Sequence, residues 1–318
     1  MMPTEEIEQL IASSKPFALC ALPGEPHVQV FDVWKDDRLY NHEGHAFIIM
    51  PESEGHFSQP QNITTEEEHH RMVTAAVAAI QAGQPKKVII STIKHVARTA
   101  DSLAHVFEKL LATYPTAFRY LLHHPVYGTW AGASPELLLR KEGTHYSTIA
   151  LAGTVKTEAG QAPVWNEKLI EEQAIVTRGI TTHLEGIGVK DIQVSPVHNH
   201  QAGPVTHLKT DIAFDSEIHP ASIVSALHPT AAVCGYPKAE AMQLYRTLEQ
   251  HARRLYTGYL GIERPTGFAY FVNLRCMQIF DDHFELHVGG GITAASIAKE
   301  EWTETENKAE VMRRVIGS

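Results

Sequence analysis

The sequence predicts an α+β fold in which sheets are covered by helices, and three observations predict it. Short apolar, β-branched runs recur along the chain, helical patterns stand between groups of them, and neither an internal repeat nor a low-complexity linker intervenes. With 318 residues, 43% hydrophobic and 20% charged, the chain can bury a large core. One continuous domain over 1–318 is expected.

The elements follow in order. Residues 64–83, TTEEEHHRMVTAAVAAIQAG, predict a helix with a Thr cap, early glutamates, helical apolar spacing and a terminal glycine. KKVIIST (86–92) predicts a strand. TADSLAHVFEKLLATYP (99–115) predicts a second helix, stopped by its proline. Residues 118–143 predict two strands around a glycine-containing loop, and 145–157 continue the sheet. WNEKLIEEQAIVTRGITTHLEGIG (165–188) predicts a long helix closed by glycine, and 192–215 predict strands. Two helices flank HPTAAVCGYPK (228–238), the second from about Ala239 to Arg254. Three strands then follow, LYTGYLGIE, FAYFVNLRCMQIF and HFELHVGGGIT, before a last helix.

Charge and composition exclude several classes. A formal net charge of −10 gives no basic footprint, which argues against nucleic acid as a partner. An anionic ligand would need a local cluster of cations or a metal. Cys20, Cys234 and Cys276 lack any paired spacing, against a disulfide framework or zinc knuckle. The N-terminal stretch is acidic where a signal peptide is basic, and no apolar run approaches the ~18 residues of a membrane span. A cytoplasmic protein without a membrane partner is expected. The histidine clusters HEGH, HH and HNH match no helical metal-ligand spacing and read as surface or hydrogen-bonded histidines.

Two features point to chemistry. In EEWTETENKA (300–309), Glu301 and Glu304 share a helix face with Lys308 one turn further along it. The glycine run VGGGI (288–292) fits either a tight turn or bare backbone N–H groups offered to an anion.

Taken together, GASPELLLR (132–140), LAGT (151–154), HPTAAVCGYPK, NLRCMQI (273–279), VGGGI and EEWTETENKA resemble, in order and spacing, the chorismate-utilising enzymes. The match covers about 86–310, after a shorter N-terminal part, 1–85, and HPTAAVCGYP looks like the isochorismate and salicylate synthase branch. The resemblance implies two large packed β-sheets covered by helices in four layers (α/β/β/α), with chorismate bound together with Mg²⁺. It implies Lys87 as the base that activates water and Glu136 as the acid that protonates the departing hydroxyl. Lys86 and Lys87 point to opposite faces of a strand, so only one can enter the site. Lysine's reference pKa of ~10.4 means that a basic role needs burial or nearby cations.

By the same resemblance Glu171 and Glu304 are metal ligands with Glu301 in or beside the shell, and Glu172 is the alternative to Glu171. Arg275 grips a substrate carboxylate, supplemented by Lys308 and by N–H groups near Gly289 and Gly291, while Gly153, Thr154 and Tyr256 line the pocket. His207 matches a family histidine without an assigned role. Thr92 stands where the family has arginine. Ala152 offers no amine for a covalent intermediate, so water is the expected nucleophile. The implied function is a monomeric, Mg²⁺-dependent isochorismate synthase converting chorismate to isochorismate, for quinone or siderophore synthesis. A salicylate synthase and a non-catalytic chorismate-binding protein are the alternatives.

Overall fold

The computed structural model describes residues 4–53, 57–83, 85–98, 102–156, 162–202 and 205–316. The N-terminal part runs α1 (Thr4–Ala12), β1 (Phe17–Ala21), β2 (Gln29–Phe31), β3 (Val33–Lys35), β4 (Arg38–Tyr40), β5 (Ala46–Met50) and α2 (Glu66–Gln81). The middle runs β6 (Lys87–Ala97), α3 (Leu103–Thr113), β7 (Phe118–His124), β8 (Gly128–Ser134), β9 (Leu137–Glu142), β10 (His145–Lys156), α4 (Glu167–Gly186), β11 (Gln193–Val194), β12 (His198–Ala202) and β13 (Val205–Asp215). The remainder is α5 (Pro220–Leu227), β14 (Gly235–Tyr236), α6 (Lys238–Leu248), β15 (Tyr259–Arg264), β16 (Gly267–Val272), β17 (Cys276–Ile279), β18 (His283–Ile292) and α7 (Ala298–Arg313).

These strands form two antiparallel sheets. The first has eight strands in the order β14-β6-β18-β17-β8-β7-β1-β2; the second has ten, ordered β11-β13-β10-β9-β16-β15-β5-β4-β3 with β12 paired to β13. Their inner faces interdigitate through Phe31, Phe47, Phe118, Tyr120, Leu260 and Phe271, where Phe118 and Phe271 stack with ring centroids 4.6 Å apart. Helices α1, α3 and α7 cover the outer face of the first sheet, α2 and α6 cover its β6 edge, and α4 and α5 cover the second sheet. This is the four-layer α+β arrangement expected. Among the described residues no helix is long and apolar enough to cross a membrane.

Local signals explain the elements. Thr65 caps α2 with a reciprocal capping box to Glu68, a device worth ~0.5–2 kcal/mol. Asn166 caps α4 by accepting from the Leu169 N–H. Four expectations need correction. Residues 118–143 hold three strands, not two, because the chain bends again at Pro135. The α6 helix ends at Leu248, and Glu249 leaves it in an extended conformation. Residues 268–280 do not make one strand: β16 belongs to the ten-stranded sheet and β17 to the eight-stranded one, and the chain crosses between them at 273–275. Finally, the glycine run lies inside β18, paired along its length to β6, and makes no turn.

Candidate active site

The crossing from β16 to β17 opens a polar cavity where the two sheets part. Its walls are the β8–β9 link with Glu136, the end of β10 with Ala152, Gly153 and Thr154, Glu172 of α4, His207 of β13, Tyr256, Arg275, the glycines of β18, and Glu304 and Lys308 of α7. Distant parts of the chain meet here because strand alternation sends the odd-numbered residues of β6 and β18 to the inner face.

Lys87 stands on that face, fully buried, while Lys86 is exposed. The Lys87 Nζ lies 3.0 Å from Glu172 Oε1, an ion pair whose angle makes no hydrogen bond. The space for the pair comes from Gly291, where a Cβ would meet Glu172 Oε1 at 2.4 Å and Lys87 Cε at 2.9 Å. A Cβ at Gly289 would likewise press on the Tyr256 hydroxyl at 2.9 Å. The glycines therefore make room for polar side chains.

Glu136 is buried and accepts a hydrogen bond from Thr230 Oγ1 at 3.2 Å. Burial lifts its carboxyl to about 7, against the opposing pull of that hydrogen bond and of the Lys87 charge. At neutral pH a large fraction of Glu136 thus keeps its proton.

The carboxylates of α7 differ in surroundings. Glu304 lines the cavity and pairs with Lys308 Nζ at 2.6 Å, and Lys308 also donates to the Gly289 carbonyl at 2.8 Å. Burial alone would raise Glu304, but the Lys308 charge and hydrogen bond hold it below the ordinary range. Glu301 sits behind the wall, with Oε1 2.6 Å from Lys168 Nζ and a buried Oε2 that has no partner. Burial and the neighbouring Glu304 charge push its carboxyl up.

The register on α4 corrects one expectation. Glu171 points to solvent, 61% exposed, and pairs with Arg178 at 2.7 Å; Glu172 is the glutamate that faces the cavity. Consecutive helix residues lie ~100° apart, so both cannot face inward.

Arg275 occupies the sheet crossing in a left-handed backbone conformation, φ 48°, which costs ~1–3 kcal/mol in a non-glycine residue. Its buried Nη1 has no partner, and burial holds its pKa below the usual value. Gly153 forms a bulge in β10 at φ 69°, the conformation glycine adopts without strain. That bulge brings the Gly153 carbonyl to 3.2 Å and Thr154 Oγ1 to 3.0 Å from His207 Nδ1. Burial drives the His207 pKa down to about 3, so the ring is neutral; with Nδ1 donating to the carbonyl, its partnerless Nε2 presents a lone pair.

The structure thus gathers Glu136, Arg275, Lys308, Gly289, Gly291, Gly153, Thr154, Tyr256 and Glu304 around one cavity, with Lys87 and Glu301 immediately behind it. It leaves Glu171 outside. Reading the sequence did not single out Lys168, Thr230 or His287. Lys168 had a signal: it precedes Glu172 by one helical turn, the spacing at which a lysine and a glutamate share a face.

The two-sheet fold and a cavity walled by Arg275, Lys308 and three glutamates define a protein with a charged binding site set between its sheets. The chain belongs to the chorismate binding enzyme family, which it matches over residues 42–314. It is 29% identical over 274 residues to "Isochorismate synthase EntC" of Escherichia coli (strain K12), covering 81% of this chain and 69% of that one. It is 31% identical over 257 residues to "Isochorismate synthase MenF" of Pasteurella multocida (strain Pm70), covering 75% and 59%. Among solved structures, the Bacillus anthracis protein described as an isochorismate synthase, DhbC, shares the fold with a TM-score of 0.75 at 20% identity, over 99% of this chain and 88% of that one.

Proposed function

We propose that this protein is an isochorismate synthase that adds water at C2 of chorismate and removes the C4 hydroxyl. The observation that supports this most is the pairing of a buried amine with a buried acid whose pKa lies near neutrality: Lys87 and Glu136 in and beside one cavity. The resemblance of relatives called isochorismate synthase points the same way.

In the proposed reaction Arg275 and Lys308 bind the substrate carboxylates, the guanidinium as a fork and the ammonium as a point charge. Lys87 takes a proton from the attacking water, the new C2–O bond forms as both ring double bonds shift along the ring, and the C4–O bond breaks. Glu136 donates its proton to the departing oxygen, which leaves as water, so the net change is an isomerisation. General acid–base steps of this kind contribute ~10²–10⁴-fold each. Ala152 supplies no amine to compete with water.

Mg²⁺ fits the donors. Glu172 of α4 and Glu304 of α7 line the cavity from two helices, and behind them Glu301 Oε2 is a buried oxygen without a hydrogen-bond partner, the oxygen donors a hard cation takes. Glu172 and Glu304 would hold the ion, with Glu301 beside them. Bound there, the ion would neutralise a substrate carboxylate and fix its orientation.

The test is to incubate purified protein with chorismate and Mg²⁺, then with isochorismate, and to separate the products by chromatography. Both compounds are expected at the end point whichever is supplied. Complete conversion to salicylate and pyruvate would establish the salicylate synthase alternative, and no conversion by folded protein that binds chorismate would establish a binding-only role.

A further inference from the structure

Away from the cavity, β6 and β18 carry a second polar cluster on the same inner face. His95 and Glu285 are directly paired across the two strands, and His283 lies two residues before Glu285, so all three side chains project from one side. Glu285 is fully buried; the side chains of His95 and His283 are 30% and 14% exposed. The cluster is about 13 Å along β18 from Gly289, four residues at ~3.3 Å each.

Three features of this cluster are unusual for a merely hydrogen-bonded group. The Nε2 atoms of His95 and His283 each lie 3.7 Å from Glu285 Oε1, too far for a hydrogen bond, and neither nitrogen has another partner. The imidazoles stand with centroids 4.6 Å apart, bringing the two nitrogens and the carboxylate oxygen within 4.8 Å of one another. Four ligands at the ~2.0–2.1 Å bonds of tetrahedral zinc are separated by roughly 3.3 Å, so the two 3.7 Å nitrogen–oxygen separations need only a small contraction. His283 Nδ1 is bonded to Asp282 Oδ1 at 2.6 Å, an outer carboxylate that fixes the proton on Nδ1 and leaves the Nε2 lone pair free.

We propose that His95, His283 and Glu285 form a binding site for one divalent transition-metal ion of the Zn²⁺ type, separate from the carboxylate cluster of the cavity. Two imidazoles and one carboxylate are a donor set for Zn²⁺, with a water in the fourth position reached through the exposed edge of His95. The same set discriminates against Mg²⁺, which takes oxygen ligands in an octahedron. Around the site, the Gln61 N–H donates to Glu285 Oε1, and Arg254 lies 3.5 Å from Glu285 Oε2 while bonding the Gln59 carbonyl. The ion would therefore clamp the 57–64 segment, β6 and β18 together at the end of these strands opposite Gly289 and Gly291. Both imidazole Nε2 atoms face Oε1, which accepts one hydrogen bond from Gln61 and keeps a second lone pair, so Oε1 is the metal-facing oxygen.

The experiment is equilibrium dialysis of the chelator-stripped full chain against Zn²⁺ in excess Mg²⁺, which occupies the cavity carboxylates. It is repeated on the His95→Asn/His283→Asn double variant, whose substitutions sit at partly exposed positions, with circular dichroism to verify folding. One equivalent of saturable Zn²⁺ is expected in the parent and none in the double variant. Asp282→Asn is expected to weaken binding by about tenfold or more, the lower end for loss of an outer partner. Co²⁺ in place of Zn²⁺ is expected to give visible d–d absorption in the parent alone. Absence of saturable Zn²⁺ in the parent, or equal binding by the folded double variant, overturns the proposal.

Discussion

Replacing Glu136 by Gln keeps the side chain's size and removes its titration. In the folded chain the carboxyl ionises near 7 instead of its ordinary 4.5. At ~1.4 kcal/mol per pH unit, holding the ionised form inside the fold costs about 3 kcal/mol. The unfolded chain releases this proton first as pH rises, so the folded state binds the extra proton between the two values. Its contribution to stability is intact below 4.5, declines up to about 7 and is then constant. Glu136→Gln lacks this decline. Urea midpoints of parent and variant, measured from about pH 4.5 to about pH 8, should diverge in favour of the variant by about 3 kcal/mol. His207, held neutral in the fold with a pKa of about 3, titrates identically in both proteins and cancels in the difference. A gap that stays constant over this range refutes the reasoning, because it would mean that Glu136 is already ionised at the acid end. Turnover provides the second arm. An acid that must carry a proton loses about tenfold in rate per pH unit above its pKa, and the variant should fall on the order of 10²–10⁴-fold.

Two further outcomes bear on the α4 register and the glycine run. Glu172→Ala should abolish the response of chorismate turnover to Mg²⁺, whereas Glu171→Ala, at an exposed position paired only to Arg178, should leave the Mg²⁺ titration unchanged; the reverse order would restore Glu171 as the ligand. Gly291→Ala places a methyl against the flexible ends of Lys87 and Glu172, so the protein should fold with a thermal midpoint near the parent's yet lose at least tenfold in kcat. Parental kcat in that variant would show that the position of the pair does not matter.

Much of the layer structure was legible because caps, apolar periodicity and β-branched runs are local signals. The two-sheet division was not, since Asn273, Leu274 and Arg275 sit in a stretch that reads as unbroken strand. What breaks it is a change of pairing partner, from β9 to β8 and β18, and pairing is a long-range property. All the elements before residue 64, α1 and β1 to β5, escaped the sequence reading, and β2 to β4 for a related reason: three residues each carry too little pattern to announce a strand. What defines them is pairing, of β2 to β1, β4 to β5 and β3 to β4.

The displaced glutamate of α4 was, by contrast, decidable from sequence. The inward stripe of that helix is Val176, Ile180 and Leu184, all buried, at four-residue spacing. Extended backwards, the same spacing passes through Glu172 and Lys168, the residues that reach the cavity and Glu301. Glu171 falls instead on the face of Arg178, seven residues on, and the two form an exposed pair. A motif aligned by residue type alone cannot separate adjacent glutamates, because both satisfy it. The apolar stripe separates them, because burial of its leucine and isoleucine positions fixes the rotation of the whole helix, and with it which carboxylate meets Lys87.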